Sequence, residues 1–131
     1  MRRLGLSLLL GSLVLLLIAA AAIEGRYEGK WSSTAGSGNG DIRIAVLPGE
    51  GGWKGEAMFT MDGSEVPCKV VRLELNETKV VIAYQFNLAG YSLVSTLTGE
   101  AKGDSISGKY ETKTSDGSQQ IDAGSWSASK K

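Results

Sequence analysis

From Gly25 to Trp31 polarity flips at every residue, with Gly25, Tyr27, Gly29 and Trp31 on one side and Arg26, Glu28 and Lys30 on the other. A period of two with one dry face is the pattern of a half-buried β-strand. Glycine next to or alternating with an aromatic returns in Trp53-Lys54-Gly55, in Ile106-Ser107-Gly108-Lys109-Tyr110 and in Gly124-Ser125-Trp126. Absent side chains beside large rings suit a sheet that coils tightly or closes on itself.

Eight strands are expected: 25–32, 41–47, 53–61, 65–75, 79–87, 91–101, 105–113 and 120–129. The breaks between them carry glycine, asparagine or aspartate suited to reversal, as in Asp62-Gly63-Ser64 and Lys102-Gly103-Asp104. No connection is long enough for a crossover helix, so neighbours run antiparallel as a meander. An open meander would leave two unpaired edges, whereas closing the last strand on the first abolishes both. The fold class is therefore all-β, a single antiparallel up-and-down meander closed into a small barrel.

The dry rows are Tyr27 and Trp31; Ile42, Ile44 and Val46; Trp53, Ala57 and Phe59; Val80, Ile82, Tyr84 and Phe86; Leu93 and Leu97; Ile106 and Tyr110; and Trp126 with Ala128. Two places resist this pattern. Between Val70 and Val71 the apolar phase slips, which predicts a β-bulge. The strand from Lys79 is apolar on its outer side too, at Val81 and Ala83, open to cover by a partner, by the N-terminal segment or by nothing.

The first 22 residues read as an address. Met1-Arg2-Arg3 is basic, Leu4 to Ile18 is almost wholly apolar, and Ala19 to Ala22 offers small residues for cleavage, so residues 1–22 form a secretory signal peptide and 23–131 the barrel domain. An uncleaved membrane anchor is the other reading, since the apolar run approaches the ~20 residues that span a bilayer. The expected location is secreted or periplasmic. Basic and acidic residues number 14 each, and loss of Arg2 and Arg3 leaves a slightly acidic domain with no reason to seek nucleic acid or an anionic membrane surface. Cys68 is the single cysteine, which excludes an internal disulfide and reads as a small apolar residue between Val66 and Val70.

Gly29-Lys30-Trp31 in the first strand resembles the Gly-x-Trp signature of the lipocalin and avidin group of barrels. With Ile106-Ser107-Gly108-Lys109-Tyr110 and Gly124-Ser125-Trp126, the stretch from Glu24 to Lys131 also resembles a small secreted bacterial domain found alone or ahead of α/β-hydrolase domains. The two later lipocalin signatures are missing, and no biotin-binding residues map onto Trp31, Trp53 and Trp126. The resemblance implies structural roles for Trp31 and Trp126, with Trp31 packed across the closed end of the barrel and Lys130 or Lys131 covering its ring.

The chemistry is sparse. No histidine is present, which removes the commonest general base and metal ligand together. Ser105, Ser107, Ser125, Ser127 and Ser129 fall on outward positions, and the acid pairs Asp62 with Glu65 and Glu50 with Glu56 flank turns where solvated carboxylates are ordinary. Gly36 to Gly40 has the composition of a phosphate loop but no following helix. The chain is read as non-enzymatic, without cofactor or metal. Its expected function is to bind a small apolar or amphipathic ligand in a lumen lined by Tyr27, Phe59, Tyr84, Phe86, Tyr91 and Tyr110, with the 33–40 loop as a lid; an interior without charges suits a lipid-like molecule. The alternative is a solid barrel that binds a protein partner through its outer face or loops. A more distant alternative is a hydrolase-associated accessory domain or an enzyme.

Overall fold

The computed structural model describes residues 23–131, so the signal peptide or anchor read over 1–22 lies outside the described residues. Nine strands follow one another: β1 (Gly25–Ser33), β2 (Asn39–Gly49), β3 (Gly52–Met61), β4 (Ser64–Pro67), β5 (Lys69–Asn76), β6 (Lys79–Leu88), β7 (Tyr91–Lys102), β8 (Ser105–Thr114) and β9 (Gln120–Lys130). They form one antiparallel sheet in the order β4-β3-β2-β1-β9-β8-β7-β6-β5. β9 lies on β1, pairing Trp126 with Trp31 and Lys130 with Tyr27, so the meander curls into a nearly closed barrel.

The ninth strand comes from a division of the expected 65–75 strand at Cys68. Pro67 has no N–H to continue a ladder. Before it, β4 pairs with the end of β3, from Met61 opposite Ser64 to Met58 opposite Pro67. After it, β5 pairs with β6 instead, beginning at Lys69 opposite Gln85. One continuous run of chain thus belongs to both edges of the sheet. Below the switch, β3 and β5 meet through side chains rather than a ladder: a Cβ placed on Gly55 would stand 3.1 Å from Val70 Cγ1 and 3.6 Å from Leu73 Cδ2. The expected bulge is present, since the register of β5 jumps from Val70 to Arg72 and leaves Val71 turned outward.

Coiling this tight demands glycine where strands nearly touch. A Cβ on Gly108 would lie 1.8 Å from the Thr98 carbonyl oxygen, and one on Gly29 would lie 1.7 Å from that of Ser127. No side chain fits either position.

One face of every strand supplies a continuous apolar core. The outer face carries paired charges, Lys30 with Asp41 on the neighbouring strands β1 and β2, and Arg43 with Glu65 and Arg26 with Glu56 each reaching across one intervening strand. Apolar inside and charged outside is the inverse of a lipid-facing barrel. Among the described residues no helix is long and apolar enough to cross a membrane. The outer apolar residues of β6 lie between neighbours on β5 and β7. Ala83 sits between Arg72 and Thr96, Val81 between Glu74 and Thr98, and the short alanine is shaded by its longer neighbours to 5% exposure.

Candidate functional site

Strand direction divides the barrel into two ends. The chain enters at the lower end, where Ile23 is buried and its carbonyl accepts a hydrogen bond from the Tyr27 hydroxyl at 2.6 Å. The turns at 50–51, 77–78 and 103–104 share this end. The upper end carries the connections 34–38, 62–63, 89–90 and 115–119. Tyr27, Val46, Val80, Ile106, Trp126 and Ala128 pack the lower half closed. Toward the upper end the core parts to leave a cavity of about 100 Å³.

Five rings stand in its walls. Phe59 and Phe86 meet edge-to-face at 4.9 Å, and Trp31 meets Phe59 at 6.2 Å and Tyr110 at 6.1 Å, both nearly perpendicular. Edge-to-face contacts are favoured between rings, and these rings converge from β1, β3, β6 and β8 around the space. Ile42, Met61, Leu88, Leu93 and Leu97 complete the apolar wall.

Three polar features interrupt it. Inside, Ser95 and Thr112 are both buried and share a hydrogen bond at 2.5 Å, so each hydroxyl satisfies the other. Burial raises the ionisation of Tyr84 well above the usual phenol range, with the Ser95 hydroxyl opposing that shift. At the mouth, half-buried Asp122 accepts hydrogen bonds from the Ser33 hydroxyl at 2.6 Å and the Tyr110 hydroxyl at 2.9 Å. Burial first, and then the adjacent carboxylate, raise the Tyr110 phenol, so it stays a donor through the ordinary pH range.

The loop after β1 is tied down. Ser33 Oγ accepts the Ala35 and Ser37 amides, the Ser33 amide bonds the Gly38 carbonyl, and Thr34 bonds Ala123 through both its amide and its hydroxyl. Ser37 thereby joins the cavity wall.

Of the six expected ligand-binding residues, Phe59, Tyr84, Phe86 and Tyr110 surround this cavity. Tyr27 is buried but fills the lower end instead. Tyr91 is corrected: it opens β7 at the upper rim opposite Leu88, beyond the walls, and is 67% exposed. Trp31 is corrected as well. It stands on the cavity side, donating its indole N–H to the Thr60 carbonyl at 3.0 Å, while Ile23 and Tyr27 close the end where the chain enters. The cation that covers a ring is Lys130, 5.9 Å above Tyr27 rather than Trp31, and Lys131 pairs with Glu28. Trp126 is buried at 3% exposure with its N–H toward the Thr98 and Lys109 carbonyls.

Sequence reasoning missed Ser95, Thr112 and Asp122. The signal was parity, since Ser95 lies two residues from both Leu93 and Leu97, and Asp122 lies two from Gly124; polarity argued against it. Among the lining residues the charge belongs to Asp122 at the mouth, while the polar groups inside are neutral hydroxyls.

Cys68 is half-buried against the core, with its thiol directed at the Val66 carbonyl at 3.4 Å, and burial pushes its pKa up to about 12. The five outward serines are exposed, and so are the four turn-flanking acids, of which Glu56 and Glu65 bond to arginines. Among the described residues no three histidine, cysteine, aspartate or glutamate side chains gather into a metal site. Comparison with models of known protein families, with curated proteins and with solved structures finds no match.

Proposed function

We propose that this chain is an exported, non-enzymatic β-barrel that binds a small apolar or amphipathic molecule in the upper half of its lumen. One observation carries the reading: the core is closed below and parted above, with Trp31, Phe59 and Phe86 facing a space of about 100 Å³. That volume is below the ~300 Å³ of an ordinary ligand pocket and below the ~150 Å³ of an apolar cavity that accepts benzene. The occupant is accordingly a short aliphatic chain or the tip of a larger molecule whose polar part stays at the mouth. The absence of histidine from the whole sequence supports a binding role over a catalytic one. Export rests on the basic, apolar and alanine-rich order of residues 1–22.

Straight-chain alcohols test this. Titrated by NMR, they should perturb the amides of Trp31, Phe59, Phe86 and Leu93, with affinity rising per methylene until the space is full. Leu93→Phe, which fills the space, should abolish the effect. Shifts scattered over the outer face, or a Leu93→Phe variant that binds as well as the parent, would overturn the proposal. The solid lower half supports a second reading, a barrel that serves as an interaction module through its loops; an absence of any alcohol binding favours it.

A further inference from the structure

The cavity's mouth has a sign. Asp122 lies in its wall, and no lysine or arginine among the described residues does so. A carboxylate has about four acceptor positions and cannot donate. Two are used, by the Ser33 and Tyr110 hydroxyls, which hold the group in place without neutralising it. Ser33 is itself fixed by the amides of Ala35 and Ser37, so the anion sits on a braced support rather than on a mobile side chain. Tyr110 stands beside the carboxylate through its hydrogen bond, and Trp31 shares the same wall. An anionic head group brought to this mouth would meet a like charge at short range, and a neutral one would gain only an ordinary hydrogen bond.

We infer that the ligand of this site is a small amphipathic cation, a primary alkyl- or arylammonium whose apolar part enters between Trp31, Phe59 and Phe86 while its N–H groups donate to Asp122. This rests on the reading of the upper lumen as a binding site and adds the charge of the occupant. A charge-assisted hydrogen bond is roughly twice as strong as a neutral one. The ammonium should consequently outbind its isosteric alcohol by about tenfold, a step that charged and uncharged donors commonly separate.

Pentylamine, pentanol and pentanoate, titrated at neutral pH against the full barrel by NMR, distinguish the possible charges of the occupant. The expected order is pentylamine tighter than pentanol by about tenfold, with pentanoate not detectably bound. Asp122→Asn should remove the preference for the amine, so that pentylamine and pentanol bind the variant about equally. Asp122→Glu should keep a preference for the amine. Equal binding of amine and alcohol by the parent protein overturns the cation inference while leaving the lumen as a site. Tighter binding of pentanoate, or an amine preference that survives Asp122→Asn, also overturns it. Binding of none of the three overturns both. Should Asp122→Asn lose the dispersed spectrum of the folded barrel, the order of the three ligands on the parent protein still separates a cation site from a neutral one.

Discussion

The two halves of this barrel are built from the same strands, yet the lower one is closed and the upper one is not. In the lower half glycines lie against large partners, as where Gly99 faces the Trp126 ring and the Ile106 methyl, so absent and bulky side chains interdigitate. In the upper half five rings from β1, β3, β6 and β8 converge, and they meet crossed or tilted. Glycine backs rings in the upper half too, Gly40 against Trp31 and Gly124 against Tyr110, so the difference between the halves lies in the convergence of five rings around a space at one end.

The largest test of that contrast is Ile106→Ala in the closed half. Ile106 is 1% exposed, and its truncation should cost about 2–5 kcal/mol in urea unfolding; a loss under about 1 kcal/mol would mean the lower half is as loose as the upper. Enlargement should separate the halves next. Val80→Phe, at 1% exposure below, should destabilise by about 1–3 kcal/mol, whereas Leu93→Phe beside the cavity should cost under about 1 kcal/mol or stabilise. Equal penalties would erase the distinction.

Alkali should loosen the protein through both halves. Cys68, Tyr27, Tyr84 and Tyr110 all ionise above their ordinary values, in each case because burial disfavours the charged form. Groups raised in the folded state stabilise it fully below their unfolded values, 9.0 for the thiol and 10.0 for the phenols, and that stability is lost as pH climbs toward the folded values. Unfolding midpoints should hold steady up to about pH 9 and then fall, by an amount on the order of 1 kcal/mol per pH unit above 10. Three of the four groups touch the upper half or the nearby strand switch, so its amides should carry most of the change in an NMR titration; changes confined to the lower end would tell against this. The smallest effect belongs to Tyr91→Ala, within about 0.5 kcal/mol, because the ring lies outside the walls.

Much of this architecture could be read from the residues. Alternation located eight segments, one of which the structure divides into β4 and β5, the slip at Val70 announced the bulge, and the Trp126 strand lies against the Tyr27 strand as closure requires. The division at Cys68 could not be read, because a change of hydrogen-bonding partner depends on where two distant edges meet. Tyr91 misled for a related reason: it shares parity with Leu93, but parity says nothing about whether the neighbouring strands reach that far. Asp122 and Ser95 escaped because a period-two reading keyed to hydrophobicity skips polar residues on the inner face, and those are the residues that give the cavity its polarity.

The pairing of β1 with β9 has a consequence for how the cylinder assembles. Its neighbouring ladders are hairpins between consecutive strands, while this one joins the two ends of the described chain. Hairpins can zip locally within microseconds, but bringing remote segments together carries a loop-closure cost and slows folding. The joining of the first and last strands is thus the ladder with the largest closure cost, and a chain without it would leave the aromatic layer a ribbon open to water.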